Sequence, residues 1–391
     1  MISFDEAWEI VAAAATPLGA GLVPLADAFG RILAEPVVAQ VDWPPADGSA
    51  MDGYAMRDGD PSPLRLIGES FPGAPFGGEV GRGECVRIFT GATVPHGADR
   101  VVMQENATPD GASVALNIGV SDARHIRRRG FDFRTGDTLL PAGRRLDSRA
   151  MVAAAGADLG ELAVWRKPLV TILATGDELA EPGTARARPD AIPESVSFGV
   201  AALIAEWGGE TIARERVCDE RALIRRAAAT ALDRSDLLVV TGGASVGEKD
   251  YAKAVLAELG LELLFTKVAM KPGKPVWFGR AGKALVLGLP GNPTSALVTA
   301  RLLLAPLIAG MSGATPAIAA HWRTAPLRAP LGPGGNRETF SRGRWTDDGV
   351  ELIGSQDSGA QKALADASLL IRQRPGAEAL AAGAMIDIID F

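Results

Sequence analysis

The chain has 391 residues, 47% hydrophobic and 22% charged, a composition typical of soluble globular proteins long enough for several domains. Its 47 acidic residues outnumber its 40 basic residues, and the resulting net charge of −7 argues against a general nucleic-acid binder. The only cysteines, Cys85 and Cys218, lie outside any CxxC pattern, which excludes a disulfide framework and a thiolate zinc site.

The sequence gives no sign of a membrane or secretory segment. The most apolar long stretch, Ser295 to Gly310, contains Arg301 and Pro306, so it predicts a buried helix and not a membrane span. The first ten residues, MISFDEAWEI, are acidic and lack the pattern of a signal peptide. We therefore expect a cytoplasmic protein that binds neither membranes nor nucleic acid.

The first forty residues predict two short helices. Ser3 and Glu6 form a capping box in front of an apolar stripe, and a second helix is expected from Pro24 to Phe29. A helical, alanine-rich pattern returns between Leu140 and Leu162. We expect these parts to form one helical scaffold domain, composed of residues 1–40 and 130–166.

The residues between the two scaffold segments have a different pattern. From Val41 onwards, short β runs alternate with Gly and Pro, which predicts an inserted β-rich domain over residues 41–129. Its end carries the densest basic run of the chain, composed of Arg124, Arg127, Arg128 and Arg129. Such a run could clamp an anion, or it could be a solvated turn whose arginines form ion pairs. The sequence alone leaves both open.

From residue 167, apolar runs of strand length alternate with helical patterns, which predicts a mostly parallel, three-layer α/β sheet over residues 167–313. Ligands of such sheets bind at the carboxyl ends of the strands. The loops that follow predicted strands here are 175–179, 241–250, 271–274 and 288–293. A Pro-rich boundary follows, and residues 314–391 predict a small C-terminal β domain.

The central unit of this region is a predicted strand, glycine loop and helix between Asp236 and Gly260. Gly242 and Gly243 would let backbone N–H groups turn toward an anion at the start of the helix. Asp250 adds a carboxylate that suits a divalent cation bridging to phosphate. The unit thus predicts a Mg²⁺-dependent phosphate or pyrophosphate site, although on this stretch alone a tight turn with Asp250 as helix cap is the more common explanation.

The neighbouring loops carry further charged groups. Acidic side chains follow the predicted strands at Asp177, Glu178 and Asp219, and with Asp250 they would repel one another unless a cation lay between them. Lys271 and Lys274 could complement phosphate oxygens. Taken singly, the aspartates could equally be helix or turn caps and the lysines solvated.

The stretch GLPGNP, residues 288–293, predicts a rigid loop before a helix. Its prolines fix φ, and its glycines and Asn292 permit the backbone shapes that would place Ser295 near a ligand. A tight turn without a ligand accounts for the same residues.

A serine hydrolase is a rival hypothesis, because Gly243 to Gly247 fits the nucleophile-elbow pattern G-x-S-x-G. Only His321 follows Ser245, and it lies in the Pro-rich boundary beyond the α/β region. The elbow also needs a helix directly after the serine, whereas three residues intervene here. Walker A, HExxH and GxGxxG patterns are absent from the sequence.

Several stretches together resemble the MoeA-type molybdopterin molybdenumtransferases, whose relatives include the E domain of gephyrin. They occur in order along almost the whole chain: SAMDGYA (49–55), RIFTGATVP (87–95), VVMQE (101–105), IRRRGFD (126–132), TGDEL (175–179), TGGASVGEKDY (241–251), KPGKP (271–275) and GLPGNPTSA (288–296). The resemblance implies a multidomain α/β plus all-β protein: a helical scaffold, an inserted β domain, a three-layer α/β molybdopterin-binding domain and a C-terminal β barrel.

The resemblance also implies an activity and an assembly. The family hydrolyses adenylyl-molybdopterin and inserts molybdate into its dithiolene, releasing AMP and molybdenum cofactor. Mg²⁺ would be the cofactor and molybdate a co-substrate. A homodimer is implied, with the active cleft between the α/β domain of one subunit and the inserted domain of the other, together with a transient contact with molybdopterin adenylyltransferase.

The family's functional residues carry over onto matching positions of this chain. The resemblance implies metal and pyrophosphate carboxylates at Glu178, Asp219 and Asp250, and phosphate or molybdate binding by Lys271 and Lys274. It implies that Pro290 and Pro293 shape the molybdate and dithiolene pocket, and that Asp52, Thr90 and Asp132 reach in from the other subunit. Gly242, Gly243, Ser245 and Ser295 complete the expected substrate contacts.

One stretch departs from the family pattern. Where the family usually has I-x-D-[ST]-N, this chain reads Ile192-Pro193-Glu194-Ser195-Val196, and Phe131 replaces a residue that is commonly acidic. An Asn side chain can form hydrogen bonds with a ligand, whereas Val cannot. The departure favours an alternative, a non-catalytic paralogue that binds a cofactor precursor or acts as a scaffold, while the retained acids and lysines favour the enzyme.

Overall fold

A computed structural model describes residues 1–117, 122–242 and 251–391 of the protein. Its helices are α1 Phe4–Ala14, α2 Ser148–Gly156, α3 Val196–Glu206, α4 Arg221–Arg234, α5 Tyr251–Glu258, α6 Pro293–Thr299, α7 Ala305–Met311 and α8 Gln361–Ala365. A π-helical segment, Ala300–Leu304, joins α6 to α7.

The strands up to residue 165 are β1 Ala20–Pro24, β2 Val37–Val38, β3 Gly48–Ser49, β4 Gly53–Met56, β5 Leu64–Ser70, β6 Glu84–Ile88, β7 Arg100–Met103, β8 Ala107–Asp110, β9 Ser113–Leu116, β10 Ile126–Arg127, β11 Thr138–Leu140 and β12 Glu161–Trp165. Those after it are β13 Leu169–Thr175, β14 Leu179–Ala180, β15 Ile192–Pro193, β16 Glu210–Val217, β17 Leu237–Thr241, β18 Leu261–Phe265, β19 Met270–Lys271, β20 Trp277–Ala281, β21 Ala284–Leu289, β22 Arg323–Pro326, β23 Glu338–Thr346, β24 Gly349–Leu352, β25 Leu369–Gln373 and β26 Met385–Asp390.

Helix α1 has the predicted capping box, in which Ser3 Oγ accepts from Glu6 N–H at 3.1 Å and Ser3 N–H donates to the Glu6 carboxylate at 2.7 Å. Its apolar stripe is buried in the same core as strands of the α/β sheet. Phe4 also packs edge-on against Phe340 of the C-terminal sheet, at 4.8 Å between ring centroids. By its packing α1 belongs to the α/β core, whereas the sequence placed it with the scaffold.

The scaffold itself is built from two short antiparallel strand pairs, β1 with β12 and β2 with β11, around the single helix α2. The second helix predicted there is wrong: only a 3₁₀ turn, Leu25–Asp27, forms. The N–H of Leu25 donates to the carbonyl of Gly160 at 2.9 Å, so the backbone is tied to the turn before β12 instead of continuing a helix.

The inserted region forms the predicted β structure, a six-stranded sheet in the order β7-β4-β6-β5-β9-β8. Its pairs are antiparallel except for β5 with β6. A Cβ at Gly53 would come within 1.9 Å of the carbonyl oxygen of Val102. The close approach of β4 and β7 therefore requires glycine at this position.

The α/β sheet has the order β16-β13-β17-β21-β20-β18, and the pairs among the first four strands are parallel. One face packs with α1, α3, α6 and α7, and the other with α4 and α5. Burial on both faces explains the continuous apolar runs of β13, β17 and β21. The predicted three-layer α/β architecture is confirmed.

The apolar helix Pro293–Met311 is long enough and apolar enough to cross a membrane, but 94% of its most apolar window is buried inside the protein. Arg301, which interrupts it, donates to the carbonyls of Ala319 and Asp390 at 2.7 Å each. Its guanidinium also lies over the Trp207 ring, 5.2 Å from the centroid. This segment is the buried helix that the sequence predicts.

The C-terminal strands run in the order β19-β23-β25-β26-β22, with β24 paired to β23. The N–H of Arg328 donates to the carbonyl of Val350 at 2.9 Å, and Leu327 forms a bridge with Val350, which links the end of β22 to β24 and closes the predicted barrel. Strand β19, which contains Lys271, belongs to the α/β region in the sequence but pairs with β23. One strand of the C-terminal sheet therefore comes from the α/β region.

Candidate functional site

Three strand-end loops meet around Gly242, directly after β17. Gly242 has φ of 82°, and a Cβ on it would lie 2.3 Å from the carbonyl oxygen of Thr175, at the end of β13. Gly291, after β21, is also close, since its own Cβ position is 3.5 Å from Gly242 Cα. The carboxyl edge of the sheet therefore has a glycine-lined centre where three backbones approach one another closely, at the place where ligands of such sheets bind.

The Thr175 hydroxyl lies at this centre. Thr175 is 4% exposed, and within the described residues Oγ1 has no hydrogen-bond partner. A polar ligand atom at this edge would supply the hydrogen-bond partner that this buried hydroxyl lacks among the described residues.

The loop after β13 carries the first two acids. Glu178 is exposed, and its carboxylate folds back over Gly176, whose Cβ position would be 2.7 Å from it. Asp177 accepts a hydrogen bond from the N–H of Asp219 at 3.0 Å, which joins this loop to the end of β16. The structure thus brings together the loops of Glu178 and Asp219, as the sequence predicts.

Asp219 does not cap α4, contrary to the helix-cap interpretation. The helix begins at Arg221, and its N-cap residue is Glu220, which makes no side-chain capping bond. The chain turns sharply before it, since the N–H of Glu220 donates to the carbonyl of Cys218 at 2.7 Å. This turn keeps Asp219 at the sheet edge next to Asp177.

Two arginines that the sequence analysis missed hold the Glu178 loop. Arg188 donates to the carbonyls of Asp177 and Leu179, at 2.9 and 3.1 Å, and Arg216 donates to that of Leu179 at 2.9 Å. Arg216 is on β16, where alternating exposure gives an ordinary edge-strand pattern, so no sequence signal singled it out. These guanidinium groups fix the loop backbone and add positive charge beside the acids.

The lysine loop lies at the same edge, between β18 and β20. Lys271 and Lys274 are both exposed. Between them Gly273, with φ of 108°, packs on α6, where a Cβ would meet the Thr299 hydroxyl at 2.4 Å. The loop is therefore pressed against the helix that follows GLPGNP, with two ammonium groups directed to solvent.

The GLPGNP loop connects β21 to α6. Pro290 is buried, Pro293 occupies the first helical turn after the N-cap Asn292, and Ser295 is 7% exposed in that turn. Proline at this position is favourable because its missing N–H would have no helical partner. The burial of Pro290 and the position of Pro293 are consistent with the predicted rigid loop, and its rigidity stays a prediction.

A segment of the C-terminal domain, which the sequence analysis did not connect to the site, holds the start of α6. Asn292 donates to the Ser358 hydroxyl at 3.0 Å, and Thr294 N–H donates to the Ser358 carbonyl at 3.1 Å. Arg342, 1% exposed, donates to Thr294 Oγ1 at 3.2 Å and to the carbonyls of Ser355, Asp357 and Ala360 at 2.9 to 3.1 Å. A sequence signal for this contact is Arg342 itself, an arginine within a run that otherwise has the pattern of a strand.

Asp52 and Thr90 lie together in the inserted sheet. One carboxylate oxygen of Asp52 accepts from both the backbone N–H and the hydroxyl of Thr90, each at 2.7 Å. These two bonds hold the pKa of the Asp52 carboxyl below its usual value. Asp132 is exposed next to Trp43, to whose carbonyl its N–H donates at 3.0 Å.

The structure does not bring these three residues to the α/β loops within one chain. Among the residues it describes, no hydrogen bond or ion pair joins Asp52, Thr90 or Asp132 to the loops of Glu178, Gly242 or Lys271.

The basic run before Asp132 is largely ion-paired. Arg129 contacts Asp42 at 2.6 Å, Arg128 contacts Asp47, and Arg124 contacts Asp58 and Asp99. The turn interpretation accounts for these arginines. Hydrogen bonds from Thr135 N–H and Arg129 lower the pKa of Asp42 to about 2.

The run that departs from the family pattern is exposed at Ile192 and Pro193 and buried at Glu194 and Val196. The N–H of Ile192 donates to the carbonyl of Glu178 at 2.9 Å, and the Glu194 carboxylate accepts from Ser197 N–H at 2.8 Å, at the start of α3. Val196 is 7% exposed in the apolar core. A valine is accommodated here by packing, and the loop still supports Glu178 by backbone pairing.

Part of the predicted site lies outside the described residues, namely Gly243, Ser245 and Asp250. The serine-elbow hypothesis concerns the same segment. Its only downstream histidine, His321, is exposed at the end of the 3₁₀ helix Pro316–Ala320.

The donor chemistry at the edge fits a hard cation. Glu178 and the Asp177–Asp219 pair offer carboxylate oxygens, which Mg²⁺ prefers, and this ion commonly keeps water and substrate phosphate as its other ligands. No group of three metal-ligating side chains occurs among the residues that the structure describes. The third carboxylate of the expected set, Asp250, lies outside them.

Fold and site define a class: a multidomain protein with an α/β sheet whose carboxyl edge, where ligands of such sheets bind, is lined with glycine. Family models match residues 2–157, as the MoeA N-terminal region (domain I and II), residues 171–310, as "Probable molybdopterin binding domain", and residues 324–391, as the MoeA C-terminal region (domain IV). The chain therefore belongs to the MoeA family.

Individual relatives agree with this assignment. A molybdopterin molybdenumtransferase of Haemophilus influenzae is 39% identical over 74% of this chain and 72% of its own length. One of Synechococcus elongatus is 32% identical over 99% of both chains. The crystal structure of a molybdopterin biosynthesis MoeA protein from Pyrococcus horikosii superposes with a TM-score of 0.83 at 27% identity, covering 99% of this chain and 98% of that one.

Proposed function

We propose that the protein is a molybdopterin molybdenumtransferase that cleaves adenylyl-molybdopterin, inserts molybdate into the dithiolene and releases AMP. The observation that carries this proposal is the convergence of the Thr175, Gly242 and Gly291 backbones at the sheet edge, beside exposed acids and lysines. Relatives named molybdopterin molybdenumtransferase match along almost the whole chain. They do not favour the scaffold alternative.

The residues at the edge suit cleavage of a phosphoanhydride. In this step the bond between the two phosphates breaks, water supplies the new oxygen, and AMP leaves. Lys271 and Lys274 would neutralise phosphate or molybdate oxygens, and the glycine-lined centre would hold the phosphate by backbone N–H groups. Mg²⁺, when held by Glu178, Asp219 and Asp250, would polarise the anhydride and stabilise the leaving phosphate.

The other predicted site residues would bind either the phosphate or the molybdate and dithiolene groups. Gly243 and Ser245 would contact the phosphate from the glycine loop, while Pro290, Pro293 and Ser295 would shape the molybdate and dithiolene pocket. Asp52, Thr90 and Asp132 would complete the site from a second subunit. The division of the chain into residues 1–40 with 130–166, 41–129, 167–313 and 314–391 stays a prediction, as do a cytoplasmic location and a transient contact with molybdopterin adenylyltransferase.

Exposed apolar side chains near Asp132 support a homodimer. Phe131 is 74% exposed and Trp43 is 53% exposed, and both lie directly beside Asp132. Large exposed aromatic residues of this kind commonly mark protein interfaces. A second copy covering them would also bring the Asp52 and Asp132 groups to an α/β edge that they do not contact within one chain.

Mixing two inactive variants tests the shared site. Asp52→Asn removes a group of the inserted sheet, and Lys271→Ala removes a group of the α/β edge. If each site combines the inserted sheet of one subunit with the α/β edge of the other, a dimer of the two variants has one intact site and one doubly altered site. Random reassociation makes about half of the dimers mixed, so it restores roughly a quarter of wild-type AMP release. Mixing two variants that are altered on the same side, Lys271→Ala and Glu178→Gln, is the matched control and restores nothing. No recovery in the first mixture would refute the shared site.

A further inference from the structure

Next to Asp52 the inserted sheet carries a column of stacked side chains that ends in solvent. The rings of Phe71 and Phe89 are stacked, with centroids 4.5 Å apart and planes 14° apart. The Arg87 guanidinium continues the column, at 4.9 Å from the Phe89 centroid and 5.1 Å from that of Tyr54. Tyr54 is buried at one end, whereas Phe71 is 41% exposed at the other.

The column is held from several sides. Arg87 donates to the carbonyl of Gly53 at 3.2 Å and to the Gln104 side chain at 2.5 Å. Phe71 and Ala74 exchange two backbone hydrogen bonds of 3.0 Å, which close a tight turn under the exposed ring. A flat surface fixed in this way loses little conformational freedom when a ring stacks on it.

The column borders the Asp52 and Thr90 pair. The strand register pairs Gly53 with Ile88, so Asp52 stands opposite Phe89, and Thr90 follows Phe89 directly. Pro72, next to Phe71, lies 3.9 Å from the Cβ position of Gly91. Thr90 occupies one carboxylate oxygen of Asp52, and the other has no hydrogen-bond partner among the described residues.

We propose that Phe71 stacks on the pterin ring of the substrate while Asp52 accepts a hydrogen bond from that ring's edge. This rests on the proposed function. A pterin carries an amino group beside a ring N–H, and a carboxylate can accept a hydrogen bond from each. Adenine instead presents an amino group beside a ring nitrogen acceptor, which a carboxylate repels. Phe71, supported by Phe89 and Arg87, would supply the stacking surface for the pterin ring. Asp52 would select pterin over adenine.

The test compares replacements of Phe71 for binding of free 6-hydroxymethylpterin, followed by its intrinsic fluorescence, and of AMP, followed by calorimetry. We expect Phe71→Ala and Phe71→Leu to weaken pterin binding by roughly 5- to 150-fold, the range for loss of aromatic stacking. Phe71→Tyr should restore it, because the ring returns. AMP affinity should not change in any variant.

Trp345→Ala is the matched control, since Trp345 is also an exposed aromatic residue with an arginine, Arg323, over its ring. It should bind pterin like the wild type. Unchanged pterin binding in Phe71→Ala, absence of pterin binding by the wild type, or a loss that affects AMP instead would each overturn the stacking role.

Failure of this proposal is distinguishable from failure of the proposed function. If wild-type protein releases AMP from adenylyl-molybdopterin while Phe71→Ala has an unchanged KM, only the stacking role is refuted. If the wild type releases no AMP but Phe71→Ala loses pterin binding, the stacking surface stands and the transferase activity does not. With both correct, Phe71→Ala raises KM more than it lowers kcat, and Phe71→Tyr reverses the change.

Discussion

At the scale of single residues, Gly242 decides whether the sheet edge can form. The sequence places a glycine in the loop after a predicted strand, but only the packing shows that two other loops lie within van der Waals distance of it. The sequence predicted that the acids of these loops lie together, but it did not predict the individual hydrogen bonds of Asp219 with Asp177 and of Arg188 with the Glu178 loop, because these join residues that are distant along the chain.

We predict that Gly242→Ala disrupts the edge far more than an ordinary glycine replacement. The new Cβ would both require φ of 82° in a residue with a side chain and meet the Thr175 carbonyl at 2.3 Å. Gly260→Ala is the control, since Gly260 has φ of 87° but open space around its Cβ position. Gly260→Ala should cost about 1 kcal/mol in the free energy of unfolding, and Gly242→Ala at least about 2 kcal/mol more.

Urea unfolding of both variants, with AMP release measured alongside, checks this. Equal destabilisation by the two replacements would mean that the close approach at Thr175 is absent in solution.

At the scale of elements, local sequence signals predicted local structure well. They failed where hydrogen bonds to residues distant in the sequence determine the backbone conformation. The capping box of Ser3 and Glu6 and the apolar runs of β13, β17 and β21 depend on neighbouring residues or on burial alone, and both were predicted correctly. The segment after Pro24 is not helical because its backbone pairs with residue 160. The contact of the 355–360 segment with α6 was missed for the same reason.

We predict that Arg342→Met destabilises the protein by about 3 kcal/mol, because it leaves the buried Thr294 hydroxyl and three part-buried backbone carbonyls without their donor. It should also reduce AMP release, since the segment that holds the start of α6 is freed. Arg344→Met, two residues further on, is the control: Arg344 is exposed and pairs with Glu351 at the surface, so its loss should cost at most about 1 kcal/mol. Similar unfolding free energies for the two variants would contradict the role of Arg342.

We predict a pH-dependent contribution from Asp42, which holds the turn around Thr135. Its pKa is lowered from 3.8 to about 2 in the folded chain, first by the Thr135 N–H and then by Arg129. The folded state therefore gains stability from Asp42 above about pH 4, and the gain disappears as the pH falls to about 2. The stability difference between the wild type and Asp42→Asn, from urea unfolding at each pH, should be constant above pH 4 and shrink below it.

The control is Asp110→Asn, at the exposed turn between β8 and β9, where the aspartate has no side-chain hydrogen bond among the described residues. Its difference from the wild type should stay near zero throughout. A difference for Asp42→Asn that does not change between pH 5 and pH 2 would show that the hydrogen bonds of Asp42 do not form.

At the scale of the whole molecule, the order of motifs predicted the fold class, because each domain type has its own periodicity and punctuation. The alternation of strands and helices after residue 167 specified the α/β sheet, and the Gly- and Pro-rich β runs specified the inserted sheet. The packing of α1 and the sharing of β19 with the C-terminal sheet were not predictable from local patterns. Both depend on how distant parts of the chain pack together. The ion pairs of Arg372 with Asp5 of α1 and with Glu338 are examples of such contacts.

The central claim is that the assembled protein carries out a molybdate-dependent transfer. The most direct measurement is AMP release from adenylyl-molybdopterin by the purified full-length protein with Mg²⁺, with and without a low concentration of molybdate. We predict that AMP appears only when molybdate is present and that molybdenum cofactor forms with it. Tight binding of the adenylylated substrate without any AMP release under either condition would contradict the account and indicate a protein that binds the precursor without converting it.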